Sequence, residues 1–231
     1  MPAVVLLSGG LDSAVNLKRA LDETGVAVAL TFDYGQRAAR KEAAASALIC
    51  QELGLPHRLI ELPWLAEICG AALVSEDKAI PRLRPDELDD ERVTSGDTAE
   101  AVWVPNRNGV LVNIAASFAE SLRADTVVAG FNAEEAATFS DNTPHFVSAS
   151  NPALALSTRS AVRLLSYTSD LTKTEIVRLG REIDAPITAI WSCYHGRSEE
   201  CWSCESCARL ERALKEAGAW EWFHTHRTPP S

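Results

Sequence analysis

The apolar run Ala3–Leu7 breaks abruptly into Ser8-Gly9-Gly10-Leu11-Asp12-Ser13, after which Ala14, Leu17 and Leu21 recur at helical spacing while Asn16, Arg19 and Glu23 fall opposite. This stretch constrains the fold most tightly, because a short buried strand that turns on a glycine pair into a helix opens a βαβ unit. Asp12 reads as the helix cap and Gly25 as its stop. Such a turn gathers backbone N–H groups at the positive end of a helix, where an anion, most often phosphate, is held. Glycines permit close approach, and the hydroxyls of Ser8 and Ser13 add donors. A plain tight turn is the competing reading, since glycine pairs are common turn formers. The Lys of a Walker A loop and the third glycine of a dinucleotide fingerprint are both missing.

The alternation continues along the chain. Val26–Asp33 reads as a second strand, followed by a helix with Ala43, Ala47 and Cys50 on one side, widened by Ala44 and Leu48, and stopped by Gly54 and Pro56. His57 to Leu62 reads as a third strand. A helix through Leu111, Ile114, Ala115, Phe118 and Leu122 leads into a strand at Thr126–Gly130. Helices follow at Lys173–Asp184, with Ile176, Gly180 and Ile183 on one face, and at Cys207–Ala217, with Leu210, Ala213, Leu214 and Ala217. This rhythm predicts an α/β fold, a parallel sheet with helices on both faces and ligands at the carboxyl ends of the strands. Ser75–Glu100, charged and proline-rich, reads as a solvated insertion or as a lid. The closing "HTHRTPPS" reads as a frayed end. The predicted organisation is an α/β domain over 1–190 carrying the 75–100 insertion, then a small C-terminal helical segment over 191–231.

Charge and cysteine usage narrow the chemistry. A net charge of −10 over 231 residues disfavours a broad nucleic-acid surface and points to a small substrate. No apolar run reaches bilayer length and no secretory signal is evident, so a cytoplasmic protein is expected. There, Cys193, Cys201, Cys204 and Cys207 supply four soft ligands suited to tetrahedral Zn²⁺, with an iron–sulfur cluster as the alternative. Cys50 and Cys69 read as core residues, His224 and His226 as solvated, and His195 as a reserve ligand only.

Ser8-Gly9-Gly10-Leu11-Asp12-Ser13 resembles the SGGxDS signature of the PP-loop ATP pyrophosphatases, whose fold is adenine nucleotide alpha hydrolase-like. The resemblance implies that Leu7 to Ser13 bind ATP and that Asp12 organises Mg²⁺ or the phosphates. Further stretches, "LTFDYGQR", "VPNRN", "GFNAEE", "DLTKTEI", "WSCYHG" and "CWSCESC", are similar in content and order to the queuosine-pathway 7-cyano-7-deazaguanine synthases. That similarity implies a ligase that converts 7-carboxy-7-deazaguanine and ammonia into the nitrile with two ATP, through an adenylated acid and then an amide. It also implies a homodimer.

Site residues follow by position. The resemblance implies catalytic roles for Asp12, Lys173, Glu134 and Asp141, and substrate contacts from Gln36, Arg37, Asn106, Arg107, Asn108, Asn132, Glu134 and Glu135. Lys173, entering a helix, suits a phosphate as a mobile point charge, or is an ordinary surface Lys. Asn106 to Asn108 suit a purine edge or a carboxylate, with helix capping by Asn108 as the competing role. Glu134 and Glu135 suit guanine-type donors, or are solvated loop charges. Where the family runs AEDYSGYPDCR, this chain has "AEEAATFSDNT", Ala133–Thr143, keeping Asp141 but losing both Tyr, the Ser and the Arg. That departure leaves open a relative that passes the activated acid to another amine. Two further readings stand beside it: a tRNA-thiolating PP-loop enzyme, and a zinc-stabilised nucleotide-binding module without chemistry.

Overall fold

The computed structural model of the chain describes residues 1–75, 77–83, 88 and 97–230. Among the described residues five strands, β1 (Ala3–Leu6), β2 (Val26–Asp33), β3 (His57–Glu61), β4 (Thr126–Val128) and β5 (Arg163–Leu165), form one sheet. Its order is β3-β2-β1-β4-β5, and every pairing is parallel, with Val5 opposite both Ala29 and Val128. The helices are α1 (Leu11–Glu23), α2 (Ala39–Leu53), α3 (Pro63–Glu67), α4 (Asp97–Val102), α5 (Arg107–Ser121), α6 (Ala133–Ala136), α7 (Pro144–Ser157), α8 (Lys173–Glu182), α9 (Glu205–Glu216) and α10 (Trp220–His226).

β1 is the hinge of the design. Its neighbours β2 and β4 come from opposite halves of the chain, so strand order reverses there and a crevice opens at the carboxyl ends. Alternate side chains of β1 feed two cores. Ala3 and Val5 pack with Leu17 and Val15 of α1, Ile176 of α8 and Leu214 of α9, whereas Val4 packs with Val28, Val112 of α5 and Val127. A strand buried on both faces needs the continuous apolar run seen in the sequence. Each fully buried Leu or Ile in these layers contributes about 1.5–3 kcal/mol. Leu210, Ala213, Leu214 and Phe223 share the α1 core, so the C-terminal helices cover the same face as α8.

Several local expectations are corrected. Gly10, not Asp12, stands at the N-cap of α1, and Asp12 lies in the first turn. Asn16 does not point outward: it is fully buried, donating to Thr168 Oγ1 at 2.6 Å and accepting the Tyr167 N–H at 2.8 Å, which ties α1 to the segment after β5. On α2 the buried face is Ala45, Ser46, Ile49 and Cys50, while Ala47 is exposed. Leu122, read as part of an apolar stripe, is 46% exposed beyond the end of α5. The helix α7 and the edge strand β5 have no counterpart in the sequence reading; Asn151 of α7 clamps β5 through the N–H and carbonyl of Leu164.

The segment read as a frayed end is docked. Arg227 pairs with the buried Glu200 at 2.8 Å, and the Thr228 N–H donates to the Thr188 carbonyl at 3.0 Å. Half of the segment 75–100, read as a loop or lid, lies outside the described residues. Of the parts described, Arg82 forms an antiparallel bridge with Cys204, and Leu83 and Leu88 pack on Ala208; flanking the segment, the Ala72 N–H bonds the carbonyl of Ala101 in α4. Among the described residues no helix is long and apolar enough to cross a membrane.

Candidate active site and metal centre

The turn after β1 is built around close backbone approaches. Gly9 has φ +78°, and a Cβ there would come within 2.7 Å of the Glu42 carbonyl, so this position requires glycine. A Cβ on Gly130, at the end of β4, would meet the Ser13 nitrogen at 2.7 Å. The two hydroxyls latch the turn: Ser8 Oγ and Ser13 Oγ lie 3.0 Å apart, Ser13 Oγ donates to the Gly10 carbonyl at 3.1 Å, and it accepts the Ser8 N–H at 3.2 Å. The α1 N-terminus therefore faces the crevice at the switch point, with first-turn N–H groups that have no partner within the helix.

Asp12 meets Lys173 there. Lys173 is the first residue of α8, which Thr172 and Glu175 start with a capping box. Its ammonium lies 2.6 Å from Asp12 Oδ2 and 2.7 Å from Glu135 Oε1, which uses two of its three donors. Asn132, fully buried at the N-cap of α6, accepts the Glu135 N–H at 2.9 Å and donates to Asp12 Oδ2 at 3.3 Å. Asp12 Oδ1 is buried with no partner. Burial raises the Asp12 carboxyl above its ordinary value, against the pull of Lys173. Burial acts the same way on Glu135, but there Lys173, together with Asn132 and Arg209, outweighs it and the pKa falls. Burial opposes the charge on Lys173, yet Asp12 and Glu135 hold its pKa above the ordinary Lys value.

These groups line a cavity of about 260 Å³ that runs from Ser8, Gly10, Leu11 and Ser13 to Gln36, Arg107 and Asn108. That volume is near the lower bound of about 300–1,000 Å³ for ligand clefts. Leu7, Asp12, Glu135, Asp141 and Lys173 also line it. Arg107 donates to the Tyr34 hydroxyl at 3.1 Å, and Asn108 donates to the Asp141 carbonyl at 3.2 Å instead of capping α5. Asp141 Oδ1 accepts from Asn142, and burial raises its carboxyl pKa against the field of Arg107. Trp103 and Phe139 stack on the rim with centroids 6.2 Å apart.

Five of the residues singled out by sequence do not line the cavity. Gly9 and Asn132 stand behind it. Asn106 is an exposed N-cap with φ 51°. Arg37 turns away and donates to the carbonyls of Ser75 and Lys78. Glu134 is held from the other side: Oε1 accepts the Lys173 N–H at 2.8 Å, and Oε2 takes Arg209 at 3.1 Å and Arg212 at 2.8 Å. Conversely, the cavity brings in Tyr34, Glu42, Glu205 and Arg209, which sequence reasoning missed. Tyr34 sits inside the quoted "FDYGQR", but Glu42, Glu205 and Arg209 lie on helical stretches where charge reads as a solvated face.

The four cysteines converge. The Sγ atoms of Cys193, Cys201, Cys204 and Cys207 all lie within 4.8 Å of one another. A ZnS₄ tetrahedron with bonds of about 2.3 Å has S···S edges of about 3.8 Å, so the set fits zinc with a small contraction. Amide donors already aim at the sulfurs, His195 N–H and Cys201 N–H at Cys193 Sγ, at 3.3 and 3.5 Å, and Cys204 N–H at Cys201 Sγ, at 3.3 Å. Such donors support thiolate charge around a metal. The His195 ring is not in the cluster. Cys50 and Cys69 are buried elsewhere, and burial pushes the Cys50 thiol up to about 11. Cys204 is the N-cap of α9 and Cys207 lies in its first turn, so a metal held by the four cysteines would fix the start of the helix that carries Glu205 and Arg209 into the cavity wall.

Comparison with known proteins agrees with this arrangement. The chain is 54% identical over 218 residues to the 7-cyano-7-deazaguanine synthase of Desulforamulus reducens, covering 94% of this chain and 95% of that one. It is likewise 54% identical to the protein of that name from Pelotomaculum thermopropionicum, over 94% and 98% of the two chains. The archaeal protein of the same name from Methanosarcina mazei is 44% identical, over 94% and 95%. Residues 2–218, from the start of the sheet to just past the end of α9, match the family described as Queuosine biosynthesis protein QueC, and the chain belongs to that family.

Proposed function

We propose that this chain is an ATP-dependent carbon–nitrogen ligase that converts 7-carboxy-7-deazaguanine and ammonia into 7-cyano-7-deazaguanine. The observation that carries the reading is Lys173, clamped between Asp12 and Glu135 beside the Ser8–Ser13 turn. A fixed ammonium with one donor to spare, next to a helix N-terminus, suits the phosphates of ATP. The unpartnered Asp12 Oδ1 suits a hard cation such as Mg²⁺, which takes carboxylate oxygen.

A carboxylate is a poor electrophile. Attack of its oxygen on the α-phosphorus of ATP releases pyrophosphate and makes an acyl adenylate; ammonia then displaces AMP, gives up a proton and leaves the amide. A second ATP adenylates the amide oxygen, and loss of AMP and the amide protons yields the nitrile. The chain's work is positioning and charge neutralisation: the turn and Lys173 hold phosphate oxygens, and the cavity walls hold the acid against the α-phosphorus. Zinc at the four cysteines is structural and holds α9 in place. Incubating the protein with the acid, ammonium and Mg-ATP should yield AMP, pyrophosphate and the nitrile, scored by mass spectrometry. Absence of both AMP and nitrile would rule the reading out.

A further inference from the structure

Gln36 lines the cavity but has no hydrogen left for a ligand. Its Oε1 accepts the Tyr34 N–H at 2.9 Å, and its Nε2 donates to the Phe32 carbonyl at 2.9 Å and to Glu42 Oε2 at 2.8 Å. A buried amide is thus spent on holding one carboxylate in place. Glu42 stands in the first turn of α2, with its carbonyl against Gly9 and its side chain on the cavity wall.

Three of the other cavity carboxylates bond a cation directly. Asp12 and Glu135 share Lys173 and Glu205 takes Arg209, whereas Asp141 and Glu42 only lie in the field of Arg107. The side-chain bond that Glu42 does make comes from a neutral amide. A carboxylate placed this way is costly unless further donors reach it, and with one bond made it still has acceptor sites on both oxygens. Burial raises its pKa, the sign of a carboxylate short of donors. Phe32 and Tyr34 beside it supply flat aromatic surface.

Two adjacent N–H donors match such a carboxylate. The guanine edge offers them as N1–H and the 2-amino group. The adenine edge offers one donor and one ring-nitrogen acceptor, and the acceptor would face a carboxylate lone pair. We propose that Glu42 is the specificity-determining residue of this site, accepting N1–H and the 2-amino group of a guanine-type heterocycle, with Gln36 as its positioning residue. This rests on the synthase reading above, and it explains how one cavity sorts a guanine-type acid from an adenine nucleotide: the same carboxylate admits one edge and repels the other.

The test compares kcat/KM for 7-carboxy-7-deazaguanine and for its analogue lacking the 2-amino group, at saturating Mg-ATP, in the full-length zinc-loaded protein. Wild type should prefer the 2-amino acid by about 100-fold or more, because a buried acceptor left unpaired is heavily penalised. In Glu42→Gln, kcat/KM for the 2-amino acid should fall about 100-fold, mostly through KM, discrimination should drop to about tenfold or less, and the KM for ATP should stay within about twofold. Glu42→Asp should recover part of the discrimination and serves if the Gln variant does not fold. Equal loss toward both acids, unchanged discrimination, or an effect on the KM for ATP alone would each overturn the assignment. Wild type turning over neither acid would overturn the synthase reading along with it.

Discussion

The ammonium of Lys173 reaches Asp12 Oδ2 at 2.6 Å across a sequence separation of 161, joining the first turn of α1 to the first turn of α8. With side chains only 10% and 13% exposed, the pair is desolvated: removing Lys173 strands Asp12, whereas removing Asp12 leaves Lys173 with Glu135 alone. Lys173→Met should therefore lower turnover by about 10³-fold, and breaking the buried pair should cost about 3–5 kcal/mol in stability. The double variant Asp12→Asn/Lys173→Met should regain much of the stability and none of the turnover. Thermal melts and AMP release measured on the same samples separate the two effects.

Gly130 and Gly54 make a controlled pair. A Cβ at Gly130 would press on the Ser13 nitrogen at 2.7 Å and the Asp12 carbonyl carbon at 2.8 Å, whereas at Gly54, with φ +65°, nothing lies within 4 Å. Gly54→Ala should cost only the left-handed backbone strain, about 1 kcal/mol, and leave catalysis intact. Gly130→Ala should displace the Ser8–Ser13 turn and raise the KM for ATP by about tenfold or more. Equal KM values in the two variants would disprove this use of Gly130.

Parts of this architecture were legible in the sequence for physical reasons, and others were hidden for equally physical ones. β1 and β2 are buried on both faces, so their apolar runs are unbroken, and α8 and α9 pair one apolar stripe with one charged face. On α2 the run Ala43-Ala44-Ala45 gives no contrast between faces, so the pattern through Ala43, Ala47 and Cys50 meets the buried face only at Cys50 and misses Ala45 and Ile49. α7 buries only Leu154 and leaves Leu156 91% exposed, so it has no stripe to read. The buried role of Asn16 depends on Tyr167 and Thr168, about 150 residues away, and local patterning carries no trace of them. Glu42 was missed for the opposite reason: an acid in a first helical turn is already explained by the helix dipole. The convergence of the four cysteines was legible because their spacing is local, apart from the bridge that Arg82 makes to Cys204.

The metal site should be structural in its energetics. Cys204 caps α9 and is fully buried, so Cys204→Ser should lower zinc content from about one per chain to near zero and loosen α9. Elemental analysis should find zinc, with no iron, in the wild type. Hydrogen exchange in Glu205–Glu216 should accelerate in the variant while β1 and β2 stay protected. Uniform acceleration across the sheet would instead mean that the whole fold depends on the metal.

A pH effect is expected at His57. Thr31 spends its one O–H on the Leu7 carbonyl at 2.7 Å, so its Oγ1 must accept from His57 Nε2 at 2.8 Å, and the neutral imidazole carries its hydrogen on Nε2. Burial lowers the His57 pKa below 6.5. The unfolded chain then binds this proton more readily than the folded one, so the contribution of His57 is full above 6.5 and is lost as pH falls through the lowered folded value. Urea midpoints at pH 7.5 and pH 5.5 should show a fall that is shallower in His57→Gln. A steeper fall in the variant would mean that the ring gains stability on protonation.

The C-terminal strap offers the sharpest stability test. Arg227 bonds Glu200 at 2.8 Å and the Ile190 carbonyl at 3.1 Å, and Glu200 Oε1 takes the Ser192 N–H at 3.1 Å. Burial raises the Glu200 carboxyl pKa and lowers that of Arg227 in spite of the pairing, so desolvation outweighs attraction on both sides. Arg227→Ala strands a carboxylate whose side chain is 3% exposed and should cost about 3–5 kcal/mol. At about 2–4 °C per kcal/mol for a chain of this size, the melting temperature should fall by about 6–20 °C. Replacing both partners with apolar residues, Glu200→Leu/Arg227→Met, should recover most of the loss, since a well-packed apolar pair removes the desolvation cost altogether. A single variant as stable as wild type would show that the strap is held by the Thr228 backbone bond and by Lys41, which donates to the Pro230 carbonyl at 2.9 Å, and not by this ion pair.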